Sequence, residues 1–121
     1  MSRLDCPFFA RLARLLFNVG AVKFGEFRIK KHEQYPDAPL SPFYIDLRVL
    51  QSHPDLRHLV AFALAAVATD SKIGFNHLVP LPHAASSFGH IMSDILLMPA
   101  LTPRREAKQR GTMAKIDGVF R

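Results

Sequence analysis

The stretch from Ser52 to Leu101 constrains the fold most, because helix and strand signals alternate along it with little room between them. Leu56, Leu59, Val60, Ala63, Leu64 and Val67 recur at helical spacing and form one apolar face. Ser52 is placed to cap this helix, Pro54 suits its first turn, and Asp55 stands three residues after Ser52 as in a capping box. Leu78 to Leu81 then reads as a short strand and His83-Ala84-Ala85-Ser86-Ser87 as a turn of small residues. Phe88, Ile91, Met92, Ile95 and Leu96 share one face of the next helix, and Met98 to Leu101 reads as a further short strand. This order predicts an α/β fold with a parallel unit and a right-handed crossover. A chain of 121 residues suits one compact domain.

The preceding residues have a different texture. Phe8, Leu12, Leu15, Leu16 and Val19 make Leu4 to Val19 an amphipathic helix, flanked by Arg3, Arg11 and Arg14 and closed at Gly20 by a left-handed cap. An arginine-bearing amphipathic start also suits a mitochondrial presequence, although Asp5 and the phenylalanines weigh against that reading. Ala21 to Lys31 alternates in part between apolar and polar residues and predicts a strand or hairpin arm, with Gly25 as a bulge. Pro36 and Pro39 make Lys31 to Leu40 an expected exposed loop, after which Ser41 to Leu47 returns to strand chemistry.

Sixteen Lys and Arg against ten Asp and Glu give a net charge of +6, which favours anionic partners. The excess is densest from Arg104 to Lys115, where five basic side chains accompany the single acid Glu106. Arginine grips phosphate oxygens with paired bonds and lysine supplies a movable charge, so the loop has the makings of an anion clamp. The bland alternative is a solvated charge run. The turn at His83 lies between a strand and a helix, where open α/β sheets bind ligands, yet it lacks the glycine pattern of a P-loop and also reads as a packing turn. Histidines at 32, 53, 58, 77, 83 and 90 show no metal-ligand spacing and are expected on the surface or in loops. Ser86 and Ser87 lack a nucleophile elbow, which sets hydrolase chemistry aside. Cys6 is the single cysteine, so an internal disulfide and a cysteine zinc site are excluded and a reducing compartment is expected. No apolar run approaches the ~20 residues of a bilayer-spanning helix.

Three segments together resemble orotate phosphoribosyltransferase, a type I phosphoribosyltransferase that joins orotate to ribose 5-phosphate in pyrimidine synthesis. They are Gly20-Ala21-Val22-Lys23-Phe24-Gly25-Glu26-Phe27 running on to Lys30, Ser41-Pro42-Phe43-Tyr44-Ile45-Asp46-Leu47-Arg48, and Arg104-Arg105-Glu106-Ala107-Lys108 through Gly111-Thr112 to Ile116-Asp117-Gly118. The resemblance implies an N-terminal helix and small β hood over residues 1–50. Residues 51–121 would form the first βαβ part of a Rossmann-like parallel sheet. It implies that the basic loop closes over the diphosphate of phosphoribosyl pyrophosphate in a partner subunit's active site, hence a homodimer. Magnesium accompanying phosphoribosyl pyrophosphate and a cytoplasmic location follow from the same resemblance, with no metal-ligating residue in this chain. Carried over by position, Arg104, Arg105, Lys108 and Arg110 bind the anion, and Lys108 and Arg110 take the catalytic role. Lys30 reaches the same substrate from the hood, Tyr44 and Ile45 line the orotate site, and His83 and Ala84 occupy the substrate-binding turn.

The departures from the family pattern are specific. Arg110 stands where the family often has histidine or an aromatic residue, and Ala84 where some members have lysine. The stretch from Lys30 to Ser41 is longer than the usual short turn, so the hood is expected to carry an extra loop. The family's strand ending in two aspartates, followed by a Thr/Gly-rich turn for the ribose 5-phosphate, has no counterpart, and no Asp-Asp pair occurs anywhere. The expectation is therefore the N-terminal part of such an enzyme, a truncated product or a reduced relative, inactive alone. Two other classes remain: a non-catalytic module holding phosphate, nucleotide or RNA with the same loop, and an interaction subunit. The lack of interleaved aromatics near the loop argues against nucleic acid.

Overall fold

The computed structural model describes residues 6–104, 111 and 116–118. The chain divides into two compact units, Met1–Leu56 and Arg57–Arg121.

In the first unit, α1 spans Pro7–Asn18, with proline in its first turn and Leu12 buried. Gly20 adopts φ +84°. The Gly20 N–H donates to the Phe17 carbonyl at 3.1 Å and the Ala21 N–H to the Leu16 carbonyl at 3.0 Å, the paired closure of a Schellman cap. The expected glycine stop is therefore present. β1 (Val22–Phe27) and β2 (Ser41–Ile45) form an antiparallel ribbon in which Val22 faces Ile45, Lys23 faces Tyr44 and Phe24 faces Phe43. The register slips between Phe24 and Phe27, around Gly25, where the sequence predicts a bulge. Phe17 of α1 and Phe24 of β1 bring their rings to 5.8 Å, tying helix to ribbon.

The connection between these strands differs from expectation. Lys31–Gln34 forms a single helical turn, α2, and His32 is buried within it at 3% exposure. The sequence reads as a polar exposed loop because nothing in it is apolar and periodic. The turn is organised instead by hydrogen bonds to the His32 ring. After β2 the Asp46 carboxylate accepts from the Arg48 N–H and starts a 3-10 turn, Leu47–Ser52, whose Leu50 is fully buried. Ser52 closes this turn rather than capping the next helix. The His53 N–H bonds back to the Leu50 carbonyl at 3.0 Å, and α3 begins at Pro54.

α3 runs Pro54–Asp70. Its buried side chains are Leu56, Val60, Ala61, Ala63 and Ala65, whereas Leu59, Leu64 and Val67 of the expected stripe are exposed. Alanines therefore occupy most of the buried positions, and bulkier residues stand outside them. The predicted strand Leu78–Leu81 reduces to one parallel bridge, Leu78 to Ala100. The Leu78 N–H donates to Pro99 at 2.9 Å and the Leu101 N–H returns to Leu78 at 2.8 Å. Pro80 and Pro82 have no N–H to offer, which ends the ladder after this bridge. The pairing is nonetheless parallel, as the helix and strand order requires. α4 spans Ser86–Leu96, with Phe88 and Gly89 buried. β3 (Thr102–Pro103) and β4 (Ile116–Asp117) form a two-residue antiparallel ladder. Pro103 thus pairs with Ile116 instead of simply opening the charged loop, and the loop's two ends meet.

Candidate functional site

Arg28, Ile29, Lys30, His32, Glu33 and Tyr44 line an open cleft of about 550 Å³ in the first unit. Its walls follow from the ribbon. Lys30 immediately precedes α2, and Tyr44 sits on β2 opposite Lys23 with its ring 5.7 Å from the Phe27 ring. A flat half-buried ring beside two cations and one carboxylate gives a surface for a planar anion: the ring stacks and the cations hold the charge. Lys30 and Tyr44, both expected from sequence, are brought together here. Ile45 is not a lining residue. It follows Tyr44 on the strand, pairs with Val22 and is 54% exposed. Successive strand residues point to opposite faces, so Tyr44 and Ile45 do not share this wall.

Just beyond β2, the Arg48 guanidinium grips Asp46 with two bonds of 2.7 and 3.1 Å. The Arg48 hydrogen bond holds the Asp46 carboxyl below its ordinary range, and the same bond pushes the Arg48 value up. The pair braces the exit of β2 beside the cleft wall.

In the second unit, His83 and Ala84 are exposed in the turn before α4, and the Pro82–His83 peptide bond is cis. The Ser86 N–H donates to the His83 carbonyl at 3.2 Å, folding this turn into the start of α4. Arg104 stands at the mouth of the β3–β4 hairpin, where its guanidinium meets Asp117 at 2.8 Å. Both side chains remain about two-fifths exposed, so the ion pair is worth no more than about 1 kcal/mol and an incoming phosphate can displace it. Arg105, Lys108 and Arg110 lie outside the described residues. A second cleft of about 430 Å³ lies between α4 and the hairpin, lined in part by His90, Ser93, Asp94, Thr102 and Asp117. Among the described residues, no group of three or more His, Cys, Asp or Glu side chains is arranged to hold a metal ion.

Sequence reasoning missed Arg28, Ile29, His32 and Glu33 as cleft residues. Arg28 carries a faint signal as a cation two residues before Lys30. His32 and Glu33 carry none, since the prolines around them mark the whole segment as loop.

No protein-family model matches the sequence. The orotate phosphoribosyltransferase of Caenorhabditis elegans is 34% identical over 105 residues, covering 87% of this chain and 44% of that enzyme. Uridine 5'-monophosphate synthase of Bos taurus is 34% identical over 104 residues, which is 86% of this chain and 20% of that protein. The structure of Leishmania donovani UMP synthase superposes with a TM-score of 0.72 at 31% identity, covering 98% of this chain and 24% of that one. The chain thus spans less than half the length of each of these relatives. Over most of its own residues, the chain is similar in sequence to orotate phosphoribosyltransferase and in sequence and fold to UMP synthases.

Proposed function

We propose that this chain forms part of an orotate phosphoribosyltransferase, an enzyme transferring the 5-phosphoribosyl group from phosphoribosyl pyrophosphate to orotate. The observation that carries the reading is the cleft that joins Lys30 to Tyr44, in a chain whose relatives over 87% of its length include orotate phosphoribosyltransferase. Diphosphate leaves the anomeric carbon as the ring nitrogen of orotate arrives, and negative charge builds on the departing oxygens. Arg104, Arg105, Lys108 and Arg110 take up that charge from the basic loop, with Lys108 and Arg110 in the catalytic role. Lys30 holds the same substrate from the hood, and the Tyr44 ring stacks on orotate. His83 and Ala84 present a small-residue turn to the substrate. Preorganised cations stabilise the transition state more than the ground state, and closure of the loop keeps water from the ribosyl centre. Magnesium accompanying phosphoribosyl pyrophosphate would neutralise part of the diphosphate charge.

The same reading makes the protein a cytoplasmic homodimer that exchanges catalytic loops. Among the described residues no helix is long and apolar enough to cross a membrane. Calorimetric titration of magnesium phosphoribosyl pyrophosphate into wild type and Lys108→Ala tests the loop. A charge-assisted contact of about 1.5–3 kcal/mol predicts a loss of roughly ten- to hundredfold in affinity. Equal affinities would remove Lys108 from the site. Sedimentation of the same samples should give a dimer, and monomer alone at high concentration would overturn the shared-loop arrangement.

A further inference from the structure

We propose that His32 is a positioning residue for the cleft, fixing the Lys30 amine against the Tyr44 ring by tying together the two ends of the segment that separates them. The inference rests on the reading that this cleft takes substrate. His32 is the one buried polar side chain among the described residues, and both of its ring nitrogens are engaged. The Ile29 N–H donates to Nδ1 at 2.9 Å, and the Ile29 carbonyl stands 3.1 Å from the same nitrogen; the tautomer that satisfies the N–H has Nδ1 as acceptor. Nε2 therefore carries the proton and donates to the Pro39 carbonyl at 3.2 Å.

The two partners are informative. Ile29 immediately precedes Lys30, and Pro39 lies two residues before β2, the strand that carries Tyr44. The described backbone bonds inside the segment are all short-range: His32 to Ile29, Glu33 to Lys30, Tyr35 to Lys31 and Ala38 to Tyr35. They build the turn but do not connect it to the returning strand. The Nε2 bond spans seven residues and makes that connection. The ring side of this part-buried bond is shielded, since His32 is 3% exposed, while Pro39 stays at the surface. The extra length of the hood segment is thereby converted from a floppy insertion into a wall of the cleft, and Glu33 joins the lining beside His32.

Side-chain amides separate the two bonds. In His32→Gln the terminal amide N–H reaches the position of Nε2 and keeps the tie to Pro39. In His32→Asn the amide oxygen replaces Nδ1 as acceptor for Ile29 but cannot reach Pro39. The experiment is calorimetric titration of orotate and of magnesium phosphoribosyl pyrophosphate into wild type, His32→Ala, His32→Gln, His32→Asn, Lys30→Ala and His32→Ala/Lys30→Ala, with thermal melts of each. We expect His32→Ala and His32→Asn to bind about tenfold more weakly and His32→Gln to stay within about threefold of wild type. In the Lys30→Ala background, His32→Ala should cost little more, because its effect passes through Lys30. Unchanged binding by a folded His32→Ala overturns the role, as does rescue by Asn rather than Gln, or full additivity with Lys30→Ala. If His32→Ala fails to fold, the Gln and Asn pair carries the decision. A wild-type chain that binds neither ligand overturns the functional reading itself, which is a different result from binding that is indifferent to His32.

Discussion

Among the described residues, Glu33 is the one acid lining the hood cleft, beside Arg28, Lys30, His32 and Tyr44. A carboxylate in that position opposes any anionic ligand while offsetting part of the pull of the two cations. The side chain is exposed, so the opposition is screened by solvent and salt and is worth at most about 1 kcal/mol. Glu33→Gln is therefore expected to tighten orotate binding about two- to fivefold at low ionic strength, with the gain fading in 0.5 M salt on the scale of the Debye length. Titration calorimetry at two salt concentrations checks this, and a gain that persists in high salt would point to a change of shape instead of charge. Residue by residue, the sequence singles out Lys30 and Tyr44, which line one cleft in the first unit. Ile45, the neighbour of Tyr44 in the same motif, falls outside the lining of this cleft because strand residues alternate in direction. His32 was illegible for a different reason: its burial comes from partners three and seven residues away that no local pattern announces.

At the scale of elements, the boundaries that were legible are those set by backbone chemistry. Gly20 stops α1 by adopting a positive φ, and Gly25 marks the register slip of the ribbon. The elements that shrank are those where proline removes donors, as at Pro80 and Pro82 beside the single Leu78 bridge. Of the α3 stripe, Leu56, Val60 and Ala63 are buried while Leu59, Leu64 and Val67 are exposed, and Ala61 and Ala65 are buried outside it, because small side chains that permit close packing carry little weight in a periodicity of large apolar residues. Gly89 shows the same preference for closeness. A Cβ built at Gly89 collides with the ring of Pro80, whose Cγ would stand 2.5 Å away. Alanine ordinarily stabilises a helix interior by about 1 kcal/mol relative to glycine. Here the rigid proline ring cannot move aside without dragging the bridged segment with it, so overpacking at about 1–3 kcal/mol wins. Gly89→Ala should lower the midpoint of a urea melt with little change in slope. A raised midpoint would mean that α4 and the Pro80 segment separate easily.

The whole molecule has two compact units, each carrying part of the machinery proposed for the reaction. The first unit holds the Lys30 and Tyr44 cleft, and the second holds the His83 turn and the Arg104 hairpin mouth. The 121 residues contain no Asp-Asp pair and no Thr/Gly-rich turn after one, the segment by which the resembling family would hold ribose and 5-phosphate. Transfer between a ring nitrogen and an anomeric carbon depends on holding both in attack geometry, and effective molarities fall by orders of magnitude when one end of a substrate is free. Binding suffers less than turnover, because orotate and diphosphate each meet cations that need no ribose contact to act. The 121-residue chain is therefore expected to bind orotate or pyrophosphate weakly and to consume no orotate above background in a spectrophotometric assay with magnesium and phosphoribosyl pyrophosphate. Supplying a partner fragment that contains the acidic strand and phosphate turn should restore consumption if the two fragments dock. Robust turnover by the short chain alone would mean that the ribose 5-phosphate is held by residues other than those the family uses, with the second cleft around His90 and Asp94 the first place to substitute.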